Sequence, residues 1–250
     1  MTESHKEYPG PKKMTWLTSS LALVTEYILQ KEGVCNMVRE PDINKSALVI
    51  VDMQNDCIHP EGYFGWVSQQ PGYEDRELAP KGLVSNIKRL AESVRKAGRP
   101  VVYLQIVLEP DYSDACTTYW KSPFWQEKGF FIKDTWGAQI IDELTPQPGD
   151  MVLAKKGYSG FQTAPLDAVL RHQGINSCVM TGVGSAACVE STIRQGVELG
   201  YCMILVSDGS GGWSLDSHEK TVQRLDGGFA HAKTTGEVIQ MLETAIKVKV

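Results

Sequence analysis

Short unbroken apolar runs alternate along this chain with stretches in which apolar residues return every three or four positions. The runs at 47–52, 100–106, 151–154, 177–182 and 202–207 have the length and continuity of strands buried on both faces, and a shorter strand is expected near 229–233. The helical spacing between them predicts helices near 78–97, ended by Gly98, and at 163–173, 187–199, 215–226 and 235–246. Regular strand–helix alternation implies an α/β fold: a mostly parallel six-stranded sheet with helices on both faces, in three layers α/β/α.

Two parts of the chain depart from this rhythm. Residues 1–45 read as an N-terminal extension, polar through Lys13 and then amphipathic, with Leu17, Leu21, Val24 and Ile28 on one helical face. Glu40-Pro41-Asp42 breaks the chain before the domain proper, 46–250. Met14 to Val24 behind Lys12-Lys13 has some character of a secretory signal. Thr18, Ser19 and Ser20 dilute it, however, and no small-residue cleavage site follows. No stretch is long enough to span a bilayer, so no membrane partner is expected. The second departure is a long irregular segment, 107–136, carrying Tyr112, Tyr119, Trp120, Phe124, Trp125, Phe130, Phe131 and Trp136. Such a stretch inside a compact domain is usually functional. A lid over a site, a subunit contact and a surface insertion with its own small core all fit it.

Composition narrows the function classes. A net charge of −5 without a basic stripe argues against nucleic acid as a partner. The cysteines at 35, 57, 116, 178, 188 and 202 form no CxxC pair and no metal-finger spacing, which points to a reducing, cytoplasmic setting. Cys178 and Cys202 fall in strand patterns, as buried free thiols do.

Cys188 is different, because it opens a helical pattern directly behind a strand. Asp52 closes the first apolar run and Lys155 follows the third, so a carboxylate, an ammonium and a thiol stand at strand ends. Sites in open α/β sheets collect at the C-terminal edges of the strands. A thiol attacks a carbonyl only as thiolate, so it needs a lowered pKa or an adjacent base. A helix N-terminus offers Cys188 the dipole, and Asp52 offers the base. The small residues Gly182-Val183-Gly184-Ser185-Ala186-Ala187 before it would let backbone N–H groups approach a reacting oxygen.

Three sequence blocks resemble the isochorismatase-like cysteine hydrolases, which include nicotinamidases, N-carbamoylsarcosine amidohydrolase and ureidoacrylate amidohydrolase. They are Ala47-Leu48-Val49-Ile50-Val51-Asp52-Met53-Gln54-Asn55-Asp56, Lys155-Lys156-Gly157-Tyr158-Ser159-Gly160-Phe161, and Gly182-Val183-Gly184-Ser185-Ala186-Ala187-Cys188-Val189-Glu190-Ser191-Thr192. The resemblance extends from about Ser46 to Leu242 and implies a Rossmann-like sheet with Asp52, Lys155 and Cys188 as a catalytic triad. It further implies a cis peptide at Val183–Gly184, which would turn the Gly184 N–H beside that of Cys188 as an oxyanion hole. Pro146-Gln147-Pro148-Gly149-Asp150 and the stretch Tyr158 to Arg171 are most like the ureidoacrylate and N-carbamoyl amidohydrolase branch. Homo-oligomers, dimers or tetramers, are expected from the same resemblance.

The chain also departs from the family pattern. Gly184 and Ser185 replace the usual Ala and Thr, and Cys57 replaces an aromatic that often walls the pocket. The Asp-x-His cluster of metal-binding nicotinamidases is missing: the region reads Gln105-Ile106-Val107-Leu108-Glu109-Pro110, so neither metal nor other cofactor is expected. Gln54 and Asn55 are candidate substrate contacts, or else bond the nearby loop backbone. Tyr158 and Phe161 line the pocket, or else belong to the core. His59, His172, His218 and His231 show no partner pattern. The expected activity is hydrolysis of a C–N bond in a small linear amide or ureide, with release of ammonia. A retired hydrolase acting as a binding or assembly protein, and a redox sensor at Cys188, are the rival readings.

Overall fold

The computed structural model of the chain describes residues 39–70, 80–212 and 214–247. Strands β1 (Ser46–Val51), β2 (Val101–Ile106), β3 (Met151–Lys155), β4 (Ser177–Val183), β5 (Cys202–Gly211) and β6 (His231–Lys233) form one sheet in the order β3-β2-β1-β4-β5-β6. Every pairing in it is parallel. Each residue of β1 and β4 is buried, which is why those strands read as continuous apolar runs. At the sheet edge β3 alternates instead, with Val152 45% exposed, and its burial is completed only at Lys155.

The helices in chain order are α1 (Asn55–Ile58), α2 (Tyr63–Ser68), α3 (Leu83–Lys96), α4 (Pro123–Lys128), α5 (Gly160–Thr163), α6 (Leu166–His172), α7 (Glu190–Glu198), α8 (Leu215–Leu225) and α9 (Thr235–Lys247). Helix α3 buries Leu83, Ile87, Leu90, Ala91 and Val94 on one stripe and packs against β1, β2, β5 and α9. The crossover β1–α3–β2 runs one way along the sheet and β4–α7–β5 the other. Right-handed connections therefore place α3 and α7 on opposite faces, which gives the three layers. The strand order reverses between β1 and β4, and a crevice opens there beyond the strand ends. Among the described residues no helix is long and apolar enough to cross a membrane.

Several boundaries differ from those read in the sequence. Strand β5 continues to Gly211 rather than ending near 207, because its pairing with β4 shifts between Met180 and Gly182 and then resumes at Gly182–Ser210 and Val183–Gly211. The helix expected at 163–173 is two helices, parted at Ala164-Pro165. Within the loop after Cys57 lie part of α1 and all of α2. The amphipathic segment near residues 14–28 lies outside the described residues.

One glycine holds β1 and β4 together at the crevice. Gly182 has φ +106, and a Cβ there would sit 2.0 Å from the carbonyl oxygen of Val51. Gly182→Ala is therefore expected to lower stability by about 3 kcal/mol through combined strain and overpacking. A urea-unfolding midpoint equal to that of the unsubstituted chain would contradict this close approach.

Candidate active site

Three different backbone devices bring the polar groups together. Asp52 is the first residue beyond β1, in the left-handed region at φ 53, where aspartate is among the few side chains tolerated. Its N–H donates to the Leu104 carbonyl of β2 (2.8 Å), which fixes the bend. Lys155 ends β3, two strands from β1 and so about 10 Å away across β2. Its side chain spans that distance. Cys188 lies in a wide π-helical turn, Ser185–Val189, between β4 and α7, where the Val189 N–H donates to the Gly184 carbonyl (3.1 Å). Such wide turns are frequent at functional sites.

The peptide bonds among the described residues are all trans, Val183–Gly184 included, which corrects the expectation of a cis bond there. Gly184 enters the turn with φ 71 and ψ 53, a conformation glycine adopts without a Cβ penalty, and this redirects the chain from strand to turn. A Cβ on Gly184 would lie 3.3 Å from the Cys188 nitrogen. The two residues expected to offer amides thus adjoin one another.

The lysine ammonium organises the cluster. Its Nζ lies 2.9 Å from Asp52 Oδ2, 3.3 Å from Cys188 Sγ and 3.1 Å from the Gly157 carbonyl, so its three donors all have partners. Asp52 is 1% exposed and Lys155 fully buried. Burial pushes the Asp52 carboxyl above the usual carboxylate range, although Lys155 pulls it down. Burial lowers the lysine, but the Asp52 carboxylate and the hydrogen bonds to Asp52 and Cys188 outweigh it and the ammonium is held. The Cys188 thiol is pushed well up, by burial first and by the Asp52 carboxylate second. The resting site is a buried carboxylate–ammonium pair with a neutral thiol beside it.

The rest of the sequence blocks anchor this cluster. Thr192 Oγ1 donates to the Cys188 carbonyl (2.7 Å) and accepts from the Gly160 N–H (3.2 Å), tying the second block to the third. Gln54 Nε2 donates to the Ile106 and Ala138 carbonyls (both 2.8 Å), and its Oε1 accepts from the Ile106 N–H (2.8 Å). Asn55 Nδ2 donates to the Trp136 carbonyl (2.9 Å). Both amides bond the neighbouring loop and strand backbone, and neither lines the cavity. Phe161 packs on Tyr201, with ring centroids 5.1 Å apart, outside the cavity as well. Of the four expected substrate contacts, only Tyr158 lines it.

That cavity, of about 300 Å³, opens over the cluster. Asp52, Cys57, Gly184, Ala187 and Cys188 face it from the segments just beyond β1 and β4, with Ile106 and Val183 at the ends of β2 and β4. The opposite wall is aromatic: Tyr63, Tyr119, Trp120, Trp125, Phe131 and Tyr158. Most of these come from the irregular segment 107–136, which forms a wall of the site. Asp56, which the sequence reading did not single out, holds that wall. Its Oδ2 accepts from the Phe131 N–H (2.6 Å), and Tyr112 Oη donates to the Phe130 carbonyl (2.7 Å). Burial raises the Asp56 carboxyl pKa. Among the described residues no group of three His, Cys, Asp or Glu side chains is placed to hold a metal ion.

Comparison with known proteins agrees with this geometry. The sequence profile of the isochorismatase domain matches residues 46–237. A cysteine hydrolase from Pseudomonas syringae pv. phaseolicola superposes with a TM-score of 0.70 at 26% identity, over 83% of this chain and 97% of that one. An isochorismatase-like hydrolase from Alkaliphilus metalliredigens gives 0.61 at 28% identity, over 79% and 98%. An N-carbamoylsarcosine amidase from Thermoplasma acidophilum gives 0.59 at 29% identity, over 76% and 96%.

Proposed function

The chain belongs to the isochorismatase family, and from that premise we propose that it is a metal-independent amidohydrolase cleaving a C–N bond of a small linear amide or ureide through Cys188. The observation that carries the reading is the contact of one buried ammonium with both Asp52 and Cys188 at the base of a cavity. The likeness to an N-carbamoylsarcosine amidase supports the choice of bond.

The chemistry balances with these groups alone. Asp52 takes the thiol proton as the sulfur adds to the substrate carbonyl carbon. The resulting oxyanion is assigned to the Cys188 N–H and the small-residue turn before it; with the Val183–Gly184 peptide trans, no cis bond turns the Gly184 N–H to the same oxygen. Asp52 then passes the proton to the leaving nitrogen, the C–N bond breaks, and ammonia departs from a thioester, or from a thiocarbamate when the substrate is a ureide. Water deprotonated by Asp52 hydrolyses that adduct, and the proton returns to sulfur. Lys155 holds the carboxylate in place and stabilises the thiolate while it exists.

The test is ammonia release across a panel of primary amides and N-carbamoyl compounds, with intact-mass detection of the acylated protein after acid quench. Turnover with an adduct on Cys188 supports the proposal. Turnover without any adduct in the quenched protein, or with the adduct elsewhere, overturns the nucleophile.

The pH profile follows from the shift of Asp52. The base must be ionised in the free enzyme, and kcat/KM falls as pH drops through its pKa. Since burial raises that pKa, the acid limb is expected above the range of an exposed aspartate. A limb at or below the ordinary carboxylate value would rule Asp52 out as the base.

A further inference from the structure

We infer that the group carried by the substrate's scissile amide is uncharged and apolar, aryl or branched alkyl, and that this chain discriminates against carboxylate-bearing amides. This rests on the proposed amidohydrolase reading and specifies its substrate. Among the described residues lining the cavity there is no lysine, arginine or histidine. Lys155 lies beneath it, but its donors are committed to Asp52, Cys188 and Gly157. A carboxylate entering the cavity would lose its water without gaining a cation from the described lining, and would meet the negative charge of Asp52 instead. Burying an unpaired carboxylate is among the most costly transfers in protein chemistry.

The walls favour the opposite kind of group. Ile106 and Val183 give aliphatic surface, and Trp120, Trp125 and Phe131 give ring faces. The donors and acceptors present suit a neutral partner. Tyr63 Oη and Tyr119 Oη lie 3.1 Å apart, and the buried Trp125 Nε1–H has no hydrogen-bond partner among the described residues. Size agrees too. A ring the size of benzene occupies a cavity of roughly 150 Å³, so about 300 Å³ admits a ring together with an amide or ureide head. Few polar groups among apolar walls are the usual means by which small-molecule sites select an uncharged ligand.

The experiment compares matched pairs: phenylacetamide with its 4-carboxy derivative, and benzylurea with 4-(ureidomethyl)benzoate. For the unsubstituted chain kcat/KM is expected to be at least about 100-fold higher for the neutral member of each pair. In parallel, each compound is titrated into Cys188→Ala by quenching of tryptophan fluorescence, which reports binding without chemistry. Equal or higher kcat/KM for the carboxylates overturns the inference. Should no compound be hydrolysed, preferential binding of the neutral members keeps the inference while the amidohydrolase reading fails. Binding of neither member, or of the carboxylates alone, overturns it. A second variant probes the cause. Tyr119 lines the cavity at its exposed rim (44%), so Tyr119→Arg adds a cation without burying it in the core, and the preference is expected to shift at least about tenfold toward the carboxylates. An unshifted ratio would mean that the missing cation does not set the selectivity.

Discussion

Cys188→Ala is expected to lower amide turnover by about 10⁴-fold or more, because it removes the only group in the cluster able to form the covalent adduct. Neither neighbour can substitute for it. Lys155 is held as an ammonium by Asp52 and lacks a lone pair for attack, and Cys57, although in the same cavity, lies outside the hydrogen bonds by which Lys155 joins Asp52 to Cys188. The fold is expected to survive, since the thiol is neutral at rest and the pair of charges beside it stays intact. Cys188→Ser is expected to fall almost as far, because a serine hydroxyl is harder to deprotonate and no histidine is among the described residues lining the cavity. Cys116→Ala, which removes an exposed thiol outside the cavity, serves as the control and is expected to retain turnover. The measurement is ammonia release beside circular dichroism of each variant. A folded Cys188→Ala with turnover within tenfold of the unsubstituted chain would sink the covalent mechanism and revive the binding-protein reading.

How much of this was legible in the chain depends on where the information sits. Strands β1 and β4 announced themselves because both their faces are covered, which forces an unbroken apolar run. The end of β5 did not, because Asp208-Gly209-Ser210-Gly211-Gly212 has the composition of a turn while its backbone continues the ladder. Asp52, Lys155 and Cys188 were legible as strand-end chemistry, and the structure brings the carboxylate and the thiol into contact with the one ammonium. The walls were not. Tyr63, Ile106, Trp125 and Val183 come from four separate segments, and no local pattern records that they meet. Gln54 shows the opposite difficulty. An amide two residues from a catalytic-looking aspartate has the chemistry of a ligand contact until its partners are known, and these lie 52 and 84 residues away in the chain. The cis bond expected at Val183–Gly184 is trans, and the chain is redirected there by the left-handed Gly184 instead. Glycine's left-handed freedom and a cis peptide are alternative ways to redirect a chain at the same residue, and sequence does not distinguish them.

Lys155→Met is expected to cost about 3–5 kcal/mol of stability at neutral pH, the range for breaking one side of a buried ion pair. The loss arises less from the missing attraction than from Asp52, which would remain 1% exposed with a charge and no cation. The carboxyl has a way to relieve this, which is to take up a proton. Its pKa is already raised by burial, and removing the lysine takes away the influence that lowers it most. Between the unfolded and folded values the folded variant then binds more protons than the unfolded chain, so its stability is fully present below the unfolded pKa and is lost as pH rises through the folded one. Lys155→Met should accordingly lose less at pH 5 than at pH 7.5, whereas Asp52→Asn, which leaves a soft ammonium that can deprotonate, should show the reverse trend toward high pH. The double variant Asp52→Asn, Lys155→Met removes both charges and is expected to recover much of the deficit, since a neutral pair carries no uncompensated burial. Urea unfolding of the three variants at both pH values decides it. If the double variant is as unstable as the sum of the singles, the two groups are not coupled in the folded state, and the role given to Lys155 in holding the base falls with that coupling.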